Sequence, residues 1–116
     1  MLLSGDLGAG KTTFVQALAK ALGVTEPVQS PTYVLMKKYQ TTSSKFQTLV
    51  HVDLYRLEKP EELETLKLEE MFADPGALVA IEWPERAHGK LPKPDRTLLF
   101  SSDGAAADER YIEVAS

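Results

Sequence analysis

The sequence predicts an α/β domain with a parallel strand at its centre, and three observations predict it. A short apolar start, Met1-Leu2-Leu3, leads into a glycine-dense loop and then into an amphipathic helix. The run Leu78 to Glu82 is continuously apolar until its last residue, as a strand covered on both faces must be. Residues 46–53 alternate: Phe46, Thr48, Val50 and Val52 face one way, and Gln47, Leu49, His51 and Asp53 face the other.

The elements follow in order. Phe14, Leu18 and Leu22 recur at helical spacing, and Ala17 and Ala21 widen the stripe. The helix therefore runs from Lys11 to Leu22, with Gly23 as its stop. Residues 24–32 carry Pro27 and Pro31 and read as an extended loop. Tyr33 to Tyr39 reads as a strand, Thr41-Thr42-Ser43-Ser44 as a polar turn and Phe46 to Asp53 as a second, half-exposed strand, so the two form a hairpin. Pro60 opens a Glu-rich helix with Leu63 and Leu66 inward, and a second helical turn carries Leu68, Met71 and Phe72. Asp74-Pro75-Gly76 has turn composition. After the strand to Glu82, Pro84, Pro92 and Pro94 bracket a loop. Thr97 to Ser101 and Arg110 to Ala115 are further strands, separated by a turn around Gly104.

Composition narrows the function classes. The chain has 116 residues, the size of one domain spanning 1–116. Hydrophobic residues make up 43% and charged residues 26%, a globular mix. With 13 basic and 17 acidic residues the net charge is −4, so contact with nucleic acid is expected to be indirect or weak. There is no cysteine, hence no disulfide, thiolate metal site or thiol nucleophile, and 2 histidines exclude a multi-histidine metal site. The longest apolar run, Ala77 to Ile81, is too short to cross a bilayer, and the start lacks the features of a signal peptide. The expectation is a cytoplasmic protein without membrane contact. The acid-rich stretch from Asp53 to Asp74 reads as a solvated helix face, with a docking face for a basic partner as the alternative.

The chemistry is concentrated in Gly5-Asp6-Leu7-Gly8-Ala9-Gly10-Lys11-Thr12, which fits G-x-x-x-x-G-K-[ST] at every position. Glycines let the backbone wrap a phosphate with its N–H groups inward. The following helix offers the positive end of its dipole to the same anion. Lys11 reaches the outer phosphates and the Thr12 hydroxyl is placed for Mg²⁺. A magnesium nucleotide site also needs a carboxylate at the end of a neighbouring strand. Asp53 and Glu82 both qualify, and Glu82 ends the more apolar strand. Thr32, after a proline in a loop, is a candidate for closing over the γ-phosphate. His51 reads as a satisfied structural histidine, Trp83 as a packing aromatic beside Glu82, and Arg56 as either a phosphate contact or a surface ion-pair partner. The sequence contains no asparagine, so it has no Asn-Lys-x-Asp guanine-reading motif, and an adenine nucleotide is expected. Only Met1, Leu2 and Leu3 precede Ser4, less than a full strand, which gives the expectation that a native N-terminal segment is missing.

Four segments together resemble one family. Ser4 to Thr13, Ser30-Pro31-Thr32-Tyr33, His51-Val52-Asp53-Leu54-Tyr55-Arg56 and Ile81-Glu82-Trp83-Pro84-Glu85 are similar, in order and spacing, to the bacterial TsaE (YjeE) family. The resemblance covers essentially the whole chain. It implies a three-layer fold of the P-loop NTPase type, with a mainly parallel sheet flanked by antiparallel strands. It implies an ATPase using ATP and Mg²⁺, weak without partners, that helps a TsaB–TsaD complex place threonylcarbamoyl on the adenosine beside the anticodon of tRNA. By the same resemblance, the loop Gly5, Asp6, Leu7, Gly8, Ala9, Gly10, Lys11, Thr12 and Thr13 takes the phosphates. Thr12 and Glu82 match Mg²⁺-associated positions, Thr32 a switch threonine and Asp53 an acid important for activity. Two departures stand out: the family's segment before the loop, which approaches the base, is not in this sequence, and Lys67 stands where the family often has glycine between two helical turns. A small-molecule kinase and a nucleotide-dependent binding module are the alternatives. The scattered arginines, Arg56, Arg86, Arg96 and Arg110, give the kinase no evident lid.

Overall fold

The computed structural model describes residues 1–6, 9–29, 35–101 and 111–115. Strands β1 (Leu2–Gly5), β2 (Met36–Gln40), β3 (Thr48–Asp53), β4 (Ala77–Glu82), β5 (Thr97–Ser101) and β6 (Tyr111–Ala115) form one sheet in the order β2-β3-β4-β1-β5-β6. The inner pairings β3–β4, β4–β1 and β1–β5 are parallel, while β2 on β3 and β6 on β5 are antiparallel. This is the expected mainly parallel sheet with antiparallel flanks.

Helix α1 (Lys11–Ala21) covers one face. Its Val15 and Ala19 pack with Leu3, Leu49, Ala80, Leu98 and Phe100. It ends where Gly23 turns to φ 81°; Val24 N–H bonds back to Ala19 O and Gly23 N–H to Lys20 O, the double closure of a Schellman motif. The other face carries Val50, Val52, Val79 and Ile81, covered by Leu54, Leu57, Leu63 and Leu68. Helix, sheet and this second cover make the three layers.

Three readings of the sequence change. The hairpin strand β2 starts at Met36 and not at Tyr33; residues 33 and 34 lie outside the described residues. The Pro60–Leu66 segment is a 3-10 helix, its start held by Glu62 Oε2 accepting from the Glu58 and Lys59 N–H groups. Strand β3 alternates as expected, but it is not half-exposed. Lying between β2 and β4, it buries Leu49 to Val52 on both faces, and His51 and Asp53 share the face that α1 covers.

The break at Lys67 is present without a glycine. Lys67 takes φ 54°, ψ 45° between the 3-10 segment and α2 (Leu68–Ala73). A side chain in the left-handed region costs about 1 kcal/mol. Lys67→Gly is therefore expected to leave the melting temperature unchanged or raise it by a few degrees, although glycine lowers stability at ordinary helical positions; thermal melts of the two proteins check this.

Candidate functional site

The site lies at the carboxyl ends of β1, β3 and β4. Gly5 closes β1 at φ 152°, and a Cβ there would stand 2.6 Å from the Phe100 carbonyl oxygen on β5, so glycine lets the strand pass this close. Ser4 Oγ donates to Glu85 Oε2 at 3.0 Å. Ala9 N–H bonds to Asp6 O at 3.1 Å, and Gly10, left-handed at φ 98°, turns the chain into α1. The helix has neither a side-chain cap nor an acidic residue in its first turn. Its opening N–H groups therefore remain for an anion.

Lys11, the first residue of α1, is 4% exposed. Its Nζ donates to the Gly5 carbonyl and lies 3.4 Å from the centroid of the Trp83 ring. Burial pushes the ammonium below the usual lysine range, opposed by the charges of Glu82, Glu85, Asp53 and Asp6. Trp83 packs against the Val52 and Ile81 cluster, as read from sequence, and its ring also lies over this lysine. It adopts φ 58° before the 3-10 turn Pro84–Ala87 and leans on Tyr55, whose ring is 5.0 Å away and is in turn covered by Arg86.

Glu82 is 3% exposed and stands in register with Leu3 on one side and Asp53 on the other. Thr12 Oγ1 lies 3.0 Å from both of its carboxylate oxygens, and His51 Nε2 is 2.5 Å from Oε2. Asp53 is half-buried and accepts from the Tyr55 N–H at 3.0 Å through Oδ1. Burial raises its pKa, helped by the neighbouring Glu82 charge and opposed by the Tyr55 N–H, His51 and Lys11.

The structure thus brings together Lys11, Thr12, Glu82 and Asp53, with Gly5, Asp6, Ala9 and Gly10 forming the described part of the loop. Thr13 is exposed on the next helical position, and Arg56 is exposed after β3. Leu7, Gly8 and Thr32 lie outside the described residues. The residue that sequence reading undervalued is His51, fully buried beneath the site. Its signal was positional: it shares a strand face with Asp53 two residues on.

The donor set suits a hard cation joined to phosphates. Thr12 and Glu82 offer adjacent oxygens, the kind Mg²⁺ takes. Four carboxylates act on the single ammonium of Lys11, so a polyphosphate entering here needs a divalent cation to offset charge. Among the described residues no group of three His, Asp or Glu side chains forms a metal cage by itself. Among the described residues no helix is long and apolar enough to cross a membrane.

The family model for the threonylcarbamoyl adenosine biosynthesis protein TsaE matches residues 1–112. Among similar proteins, the tRNA threonylcarbamoyladenosine biosynthesis protein TsaE of Nostoc is 52% identical over 107 residues, covering 89% of this chain and 63% of that protein. The protein of the same name from Haemophilus influenzae is 41% identical over 112 residues, covering 97% of this chain and 66% of its own. The crystal structure of Bacillus subtilis YdiB superposes with a TM-score of 0.70 at 32% identity, over 96% of this chain and 63% of that one. This chain therefore spans roughly two thirds of the length of these relatives.

Proposed function

The chain belongs to the TsaE family of threonylcarbamoyl adenosine biosynthesis proteins, and from that premise we propose that it binds and hydrolyses Mg·ATP to drive or reset a TsaB–TsaD-like complex that modifies tRNA. The observation that carries this reading is the convergence of Lys11, Thr12 and Glu82 at the ends of two adjacent parallel strands. The loop from Gly5 to Thr13 cradles phosphate oxygens with backbone N–H groups, and Lys11 adds a cation already withdrawn from water. Thr12 and Glu82 hold Mg²⁺, which when bound offsets charge on the outer phosphates. Asp53, one strand away, orients the attacking water, and Thr32 takes the switch-threonine role that the family resemblance implies. The negative net charge leaves tRNA contact mainly to the partner proteins.

The test is ATP consumption with and without the partner complex, in the absence of any small acceptor. Phosphate release that rises when the partners are added supports the proposal. A phosphorylated product that forms only with a small acceptor points to a kinase. No turnover in any mixture leaves a binding module and overturns the ATPase reading.

A further inference from the structure

We infer that His51 is a positioning residue, whose Nε2 holds the Glu82 carboxylate against Thr12 and so sets the site's demand for Mg²⁺; this rests on the Mg·ATP reading above. Glu82 has a flexible side chain at the very end of β4. Two donors fix it. Thr12 approaches from α1, and His51 approaches from β3 at 2.5 Å. Both reach Oε2, so the carboxylate is pinned between helix and sheet.

A second carboxylate stands beside Glu82. Asp53 stands in register beside Glu82, and the two charges oppose each other. Without the His51 donor, Glu82 would keep only Thr12, a group that the metal also needs. Outer ligands of this kind turn and hold the inner ones.

The second nitrogen shows what His51 is for. His51 is 0% exposed, and its Nδ1 has no hydrogen-bond partner among the described residues. Against the Glu82 carboxylate, Nε2 is the donor, and Nδ1 is left unmatched. An unmatched buried polar atom works against the fold. An aliphatic side chain would fill the space without that cost. One nitrogen is used, and it is used on Glu82.

This asymmetry supplies the experiment. Glutamine places its amide nitrogen as many bonds from Cα as Nε2, whereas asparagine places it at the Nδ1 distance. Mg²⁺ is titrated into full-length parent, His51→Gln and His51→Asn with ATP, and binding is followed by calorimetry beside an EDTA reference and a thermal melt. His51→Asn is expected to need ~10-fold more Mg²⁺ for the same gain in affinity, and His51→Gln to stay within about threefold of the parent. Metal-free ATP affinity should agree within about threefold in all three proteins. Equal Mg²⁺ demand in the Asn and Gln variants, or a parent-like Asn variant, overturns the inference. If His51→Asn does not fold, a shift in His51→Gln beyond threefold overturns it. A parent whose ATP affinity does not respond to Mg²⁺ at all refutes the Mg·ATP reading instead.

Discussion

Lys11→Ala is expected to weaken ATP binding on the order of a hundredfold or more, about 2.7 kcal/mol or above. The lysine is held at the mouth of the loop by the Gly5 carbonyl and by the face of Trp83, so its ammonium is pre-positioned and partly desolvated. Charge-assisted hydrogen bonds made in such surroundings contribute about 1.5–3 kcal/mol each, and a lysine reaching two phosphates makes more than one. The neighbouring Glu82, Glu85, Asp53 and Asp6 then stand without their cation and repel the nucleotide. Lys11→Met, which keeps the buried stem, separates this charge effect from lost packing. Thr12→Ala provides the contrast: it should weaken binding with Mg²⁺ more than binding in EDTA. Calorimetry on the three variants checks all of this, and unchanged affinity in Lys11→Ala sinks the phosphate-loop reading.

Asp53→Asn is expected to lower ATP hydrolysis on the order of a hundredfold while ATP affinity stays within a few-fold, the pattern of a lost positioning group. Glu82→Gln, by contrast, should impair both, because Glu82 is the carboxylate that meets Thr12. Single-turnover hydrolysis and paired titrations with partner proteins present distinguish the two; the reverse pattern would make Asp53 the metal-side acid. A second readout accompanies Asp53→Asn. Burial raises the folded-state pKa of Asp53 above its ordinary 3.8. The folded protein thus holds that proton more tightly than the unfolded chain does. Above the raised value, the charged carboxylate opposes folding; as pH falls through it toward 3.8, the opposition fades. Asp53→Asn should therefore melt higher than the parent near neutral pH, with the gap narrowing on acidification. A less active but more stable variant is the expected mark of a residue placed for chemistry rather than for the fold.

The parts of the fold written in strong local patterns were legible. The α1 stripe, the glycine stop after it and the two-sided apolarity of β4 are strong patterns, and they put Lys11 and Thr12 at the start of α1 and Glu82 at the end of β4, where the structure has them. Strand β3 was harder. His51 and Asp53 on one face look like a solvent side when only the alternation is seen, and a polar face turned toward a buried site has the same pattern. Pro60 announced a helix but could not distinguish 3-10 from α, because both begin with the same fixed φ. The left-handed turn at Lys67 opposes local preference and is imposed by Leu63 and Leu68, which must reach the same apolar cluster from either side of it. Trp83 packs as its type suggests, but its left-handed backbone and its place over Lys11 are dictated by what it covers and not by its neighbours in sequence.

The position of β1 also bears on the order in which the molecule assembles. The hairpin β2–β3 needs only its own turn, and β4 joins it across two short helical segments. β1 is different: Leu2 pairs with Ile81 on one side and Thr97 on the other, so this strand must find partners far along the sequence. Such distant pairings carry the largest loop-closure entropy and dominate folding time. The phosphate loop hangs between β1 and α1, so no binding site exists until that closure is complete. On the Mg·ATP reading proposed above, nucleotide is therefore expected to recognise only the fully assembled sheet and to stabilise it as a whole. In hydrogen exchange, its protection should reach the amides of β1 and its neighbours together, as one cooperative unit, rather than the loop alone.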